Sequence, residues 1–173
     1  MGGCARTMVL DPIDLAYDAE DPGADLEFLS DLGDRPIVTN DEGLHALIMF
    51  ASADGVDTSA DYGSRVALAK ELNWLEESWD EPSNMAMQRG TMASAIASIC
   101  KIKGGVMMQL VGRSRRYASR ELTYIGILTP GSEQQTMSGQ EFISILGKAQ
   151  DYMVLDEAAK AKKKEGAGDE SPS

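Results

Sequence analysis

Thr39-Asn40-Asp41-Glu42 and Ser138-Gly139-Gln140-Glu141 decide how this chain folds. Each is a capping box, in which the hydroxyl accepts from the amide three residues on and the glutamate reaches back to the amide of the cap. Behind each box the apolar residues fall at i, i+3, i+4 and i+7: Gly43, Ala46, Leu47 and Phe50 in one case, Phe142, Ile145, Leu146 and Ala149 in the other. That is the stripe of an amphipathic helix. Midway between them, Gln88-Arg89-Gly90-Thr91 precedes Met92, Ala95, Ile96 and Ile99 in the same register. Its box is degraded, so its helix start is weaker by about 1 kcal/mol. Val38, Met87 and Met137 stand just before the three caps, where an apolar residue can staple to the fourth helical position. Only Met87 with Met92 and Met137 with Phe142 have a partner for that staple, because the first unit carries Gly43.

A second echo lies between the caps. Tyr62-Gly63-Ser64-Arg65 and Tyr117-Ala118-Ser119-Arg120 each open an amphipathic segment, the first running through Val66, Leu68, Ala69, Leu72 and Leu75, the second through Leu122, Ile125 and Leu128. The unit is therefore helix, loop, capped helix, at a spacing of about 50 residues that points to a helical repeat or pseudo-symmetric bundle. The fold class expected is all-α, with about five main helices and a candidate short hairpin near residues 104–112, where glycines frame Val106-Met107-Met108-Gln109-Leu110-Val111.

An amphipathic helix ending in Gly-Ile, a loop, then Ile-Thr-Arg-Ala-Glu-Phe opening a second helix is the outline of the bacterial S-layer homology repeat. Ile125-Gly126-Ile127-Leu128 leading to Met137-Ser138-Gly139-Gln140-Glu141-Phe142 resembles it, as does Val38-Thr39-Asn40-Asp41-Glu42, so the likeness covers about residues 38 to 153 as two fuller units and one half unit. The resemblance implies a pseudo-threefold bundle that holds cell-wall polysaccharide in grooves, with the motif arginine among the contacts. Only Arg89 stands at that motif position, since Asn40 and Gly139 replace the other two. The resemblance therefore implies the scaffold more than the glycan site.

The charge is lopsided. The formal net charge is −12, and residues 1–61 account for all of it, with fourteen Asp or Glu against Arg6 and Arg35. Such an arm repels nucleic acid and anionic headgroups, so no nucleic-acid partner is expected. Residues 1–36, with Pro12, Pro22 and Gly23, read as an acidic tether in which Asp25–Leu32 can form a short docking helix; 37–153 read as the helical domain; 154–173 read as a helix extension through Lys160 to Gly166 and then a disordered tail.

At the front, Gly3-Cys4-Ala5 resembles the end of a bacterial lipobox, which would put a lipid on Cys4 and the protein on a membrane at the cell envelope. Met1-Gly2 allows myristoylation instead, although Arg6 stands where that motif wants Ser or Thr. The plainer alternative is an ordinary residue in a frayed end.

Chemistry is sparse. His45 is the single histidine and sits on an apolar helix, Cys100 falls on a core stripe, and no phosphate loop or metal spacing is present, so neither cofactor nor catalysis is expected. Lys101, Lys103, Arg113, Arg115, Arg116 and Arg120 are the cationic patch on an otherwise neutral or acidic protein, read first as a solvated loop that offsets the acidic arm and second, together with Arg89, as the candidate site for an anionic ligand. Trp74 and Trp79 read first as helix-end anchors and second as sugar-stacking rings. The function expected is a non-catalytic envelope lipoprotein with a structural or ligand-holding role, its partners a cell-wall polysaccharide or an envelope protein. The alternative is a cytoplasmic helical adaptor that binds a protein partner through an exposed groove.

Overall fold

The computed structural model describes residues 7–15, 23–51, 61–102 and 114–166, the side chains of 163–166 excepted. Among them are six α-helices and no sheet: α1 (Ala24–Asp34), α2 (Asn40–Ala51), α3 (Tyr62–Glu71), α4 (Arg89–Ile99), α5 (Arg115–Tyr124) and α6 (Gly139–Gly166). The chain is all-α, as its periodicity requires. The candidate hairpin at 104–112 lies outside the described residues.

The three caps meet at the centre of the molecule. The lead-in residues Val38, Met87 and Met137 are buried together, with the Val38 amide donating to the Met137 carbonyl at 3.1 Å and the Met87 amide to the Val38 carbonyl at 2.9 Å. A helix leaves its first amides without partners. Here each capped helix sends those amides to the lead-in of the next. Asn40 and Asp41 donate to the carbonyls of Met85 and Ser83, Arg89 and Gly90 donate to those of Gln135 and Glu133, and Gly139 donates to that of Arg35. The ring closes, first unit to second, second to third, third to first.

This exchange explains how α4 starts without a proper box. Gln88 makes no side-chain cap bond, yet the two amides that follow it are satisfied by the third lead-in. At α2 the box is complete: the Thr39 amide donates to Glu42 Oε2 at 2.7 Å and the Glu42 amide to Thr39 Oγ1 at 3.2 Å. At α6 it is half made, since Ser138 Oγ accepts from the Glu141 amide at 3.3 Å while the Glu141 carboxylate turns to Arg89. Gly43, which breaks the staple pattern, makes room for a neighbour: a Cβ there would lie 2.5 Å from Met87 Sδ.

Three helices end alike, in left-handed residues that no box predicts: Asn73 (φ 58°) after α3, Lys101 (φ 50°) after α4 and Gly126 (φ 84°) after α5. Each is followed by a buried apolar residue, Trp74, Ile102 and Ile127, the hydrophobic contact that accompanies such a C-cap. The Tyr-x-Ser-Arg echo, by contrast, is out of step with these ends. The N-caps of α3 and α5 are Asp61 and Ser114, so the two helices superpose Tyr62 on Arg115, not on Tyr117. The two-residue slip buries Arg65 and leaves Arg120 exposed.

The structure corrects the tether. Residues 7–9 pair antiparallel with 84–86, the Ala86 amide donating to the Thr7 carbonyl and the Val9 amide to that of Asn84, both at 2.9 Å. Farther along, the Ile13 amide donates to Glu42 Oε1 at 2.9 Å and Leu15 enters the core. α1 docks on α6 where Leu32 and Gly33 meet Gly139 and Ile143, and it buries Phe28 against His45 of α2, with Leu29 half-buried and Leu26 outside. The segment is acidic on its surface but carries enough apolar side chains, and one buried acceptor awaits it, to offset the entropy of ordering it. α6 runs on to Gly166, and residues 167–173 lie outside the described part. No helix among the described residues is long and apolar enough to cross a membrane.

Candidate functional site

The arginines of the candidate ligand site take three different places. Arg89 is 6% exposed and spent on the fold: Nη1 pairs with Glu141 Oε1 at 2.7 Å, and Nη2 donates to the carbonyl and hydroxyl of Thr129. It ties the second capped helix to the third unit and offers little to a ligand. Arg116 and Arg120 are exposed on one face of α5, four residues apart. Arg115 lines a cleft. Arg113 lies outside the described residues, as does Cys4.

The cleft of Arg115 has a volume of about 370 Å³ and is bounded by Asn73, Trp74, Leu75 and Glu76 from the turn after α3 and by Ser94 of α4. The left-handed Asn73 creates its rim, because the reversal there carries the chain away from α3 and drops Trp74 and Leu75 into the core as its floor. Across the cleft the Arg115 guanidinium lies over the Trp79 ring, 5.1 Å from its centroid, with Glu81 at 3.9 Å and Gln88 Oε1 at 3.5 Å. The stack fixes the long side chain while leaving it 27% exposed. An oriented guanidinium with donors to spare suits a carboxylate or phosphate. Trp74 and Trp79 are themselves buried, so they support this site as anchors and not as open stacking faces.

Behind the cleft is a polar network that periodicity does not reveal. Trp79 Nε1 donates to the Tyr62 hydroxyl, which donates to the Glu81 carbonyl at 2.8 Å, and Asn40 Nδ2 donates to Glu81 Oε2 at 3.2 Å. Arg65 pairs with Asp41 at 2.7 Å. Burial raises the Asp41 carboxyl above the ordinary aspartate value, with Arg65 pulling the other way. Burial likewise raises the Tyr62 phenol. A second network surrounds Glu42, wholly buried, whose carboxylate takes the Thr39 and Ile13 amides and faces Arg35 Nε at 3.4 Å. The capping motif marked Glu42 as a reach-back residue; nothing local marked it as the anchor of residues 7–15.

A second depression of about 350 Å³ is apolar, formed where Ile48 of α2, Leu68 of α3 with its C-cap Leu72, and Ile99 of α4 meet above Trp74. His45 lies in the core, edge-on to Phe28 with ring centroids 4.6 Å apart. Cys100 is also buried, and desolvation pushes its thiol up to about 11. Among the described residues no group of three or more His, Cys, Asp and Glu could hold a metal ion. Compared with protein-family models, with curated proteins and with solved structures, the chain matches none.

Proposed function

We propose that this chain is a non-catalytic, ligand-holding domain of the cell envelope, built on an S-layer-homology-like scaffold, carried on a lipid at Cys4, and receiving an anionic cell-wall polymer in the cleft of Arg115. The observation that carries the reading is the cyclic exchange among the three caps, in which the first amides of one unit bond to the lead-in of the next. Three equivalent modules closed on one another leave clefts at their junctions, and one of these holds a stacked, partly exposed arginine beside Ser94 and Glu76. The ligand-binding role moves from Arg89, committed to Glu141, to Arg115, with Arg116 and Arg120 outside the cleft on the same helix.

The test is retention on purified envelope polysaccharide. Arg115→Ala is expected to reduce retention at least tenfold, the weight of a charge-assisted hydrogen bond of about 1.5–3 kcal/mol. Equal retention of variant and wild type would dismiss the cleft, and absence of retention by the wild type would dismiss the polymer. Metabolic labelling of Cys4 with a fatty-acid analogue in the native host tests the anchor separately.

The apolar depression between α2, α3 and α4 favours a second reading, a helical adaptor that takes an apolar side chain of a partner protein there. Leu72→Asp at its rim, where the residue is 41% exposed, would abolish such binding and leave polysaccharide retention intact.

A further inference from the structure

Among the described residues, the surface carries two unpartnered helix faces that match each other. On α5, Arg116, Arg120 and Tyr124 follow at intervals of four residues, and all three are exposed, Tyr124 to 88%. On α1, whose inner face is Ala24, Phe28 and Leu32, the outer face presents Glu27 and Asp31, again four apart, beside Leu26 at 72% exposure. None of these four charged groups makes an ion pair or hydrogen bond among the described residues. α1 is docked on α6 and α5 on α4.

We propose that these faces bind each other between copies of this chain, α5 of one molecule against α1 of the next, in head-to-tail self-association. Both pairs of charges have the same pitch, about 6 Å. Laid antiparallel, the helices set Arg116 against Asp31 and Arg120 against Glu27, and the same register brings Tyr124 within a turn of Leu26. Parallel packing would set Tyr124 against Arg35 instead. Antiparallel packing also sets the helix dipoles in opposition. Because the two faces differ, each added copy leaves one of each kind open, so the product is a chain or ring and not a closed dimer. The contact is small and of the transient class, with association at protein concentrations on the order of 0.1 to 1 mM.

Salt dependence follows from two ranges. Copies with a net charge of −12 repel one another at a distance, whereas the facing pairs act at contact. At about 0.1 M salt, with a Debye length of about 10 Å, the long-range repulsion is damped and the contact pairs survive; at 1 M, with about 3 Å, the pairs are weakened too. Association is therefore strongest at intermediate salt.

Sedimentation velocity of the full chain at about 1 mM and 0.1 M salt is expected to show a weight-average mass above the 18.6 kDa monomer. Arg116→Glu with Arg120→Glu, and separately Glu27→Lys with Asp31→Lys, are expected to return it to monomer, each variant then carrying two faces of like sign. An equimolar mixture of the two variants is expected to associate again. These are exposed positions, and an unchanged circular dichroism spectrum shows that each variant folds. A monomeric wild type, association that survives either reversal, or a mixture that stays monomeric would overturn the proposal. None of these outcomes bears on the polysaccharide site, whose arginine is left in place throughout.

Discussion

Gly139 is the residue on which the third unit's placement turns. It is the first residue of α6, and a Cβ built on it would lie 1.5 Å from the Leu32 carbonyl oxygen and 2.6 Å from its carbon. The obstruction is backbone and cannot rotate away. Only glycine lets α1 approach this closely, and the approach also gives the Gly139 amide its partner, the Arg35 carbonyl at 2.9 Å. Gly139→Ala is expected to destabilise by about 3 kcal/mol, since α1 must lift from α6 and expose Leu32. Gly147, farther along the same helix, has nothing within 4 Å of a built Cβ. Gly147→Ala is expected to stabilise by about 0.5–1 kcal/mol through helix propensity alone. Denaturant titration of the two variants gives opposite shifts in midpoint if Gly139 acts through the contact; shifts of the same sign would assign its role to propensity.

At the scale of elements, the three caps share one sequence position and use three different chemistries. The Thr39 box is complete and buried, the Ser138 box is half made and partly open, and Gln88 has none. Thr39→Ala is expected to cost about 2 kcal/mol and Ser138→Ala about 1, the upper and middle of the range for lost N-caps. Equal losses in denaturant titrations would mean that burial of the Thr39 hydroxyl adds nothing. The helix starts were legible because a capping box is local: hydroxyl, spacing and carboxylate lie within four residues. The helix ends were less so. Asn73 is a residue that tolerates the left-handed region, but Lys101 is not, and only the whole turn forces its φ positive. The Tyr-x-Ser-Arg echo misled for a related reason. Identity at three of four positions outweighed the Asp61 and Ser114 caps, whose side chains accept from Ser64 and Tyr117 and fix the true register two residues away. The candidate arginine site divided in the same manner. Sequence proximity of Arg89 to a motif said nothing of Glu141, 52 residues on, which takes its charge.

Over the whole molecule, the domain extends back to Thr7. Composition hid this, because an acidic, proline-bearing stretch looks like spacer whenever its few apolar residues are not periodic. What holds it is tertiary: the edge of residues 84–86, the core that takes Leu15, and the Glu42 carboxylate, whose first oxygen is spoken for by Ile13 and Arg35 while the second closes the Thr39 box. A chain beginning at Gly23 would keep all six helices but lose the apolar burial of Leu15, two main-chain bonds and a charge-assisted bond to a buried carboxylate. Summed at typical weights, and discounted for water that replaces some partners, the loss is about 3–5 kcal/mol. Deletion of residues 1–22 is therefore expected to lower the urea midpoint sharply, and to lower the m-value slightly because less surface is exposed on unfolding. A deletion with unchanged midpoint would return residues 7–15 to the status of a linker. Glu42→Gln in the full chain separates the two contributions. It keeps an acceptor for the Ile13 amide but removes the charge that Ile13 and Arg35 face, so it is expected to lower the midpoint by less than the deletion does, and the difference measures what the edge pairing and Leu15 supply.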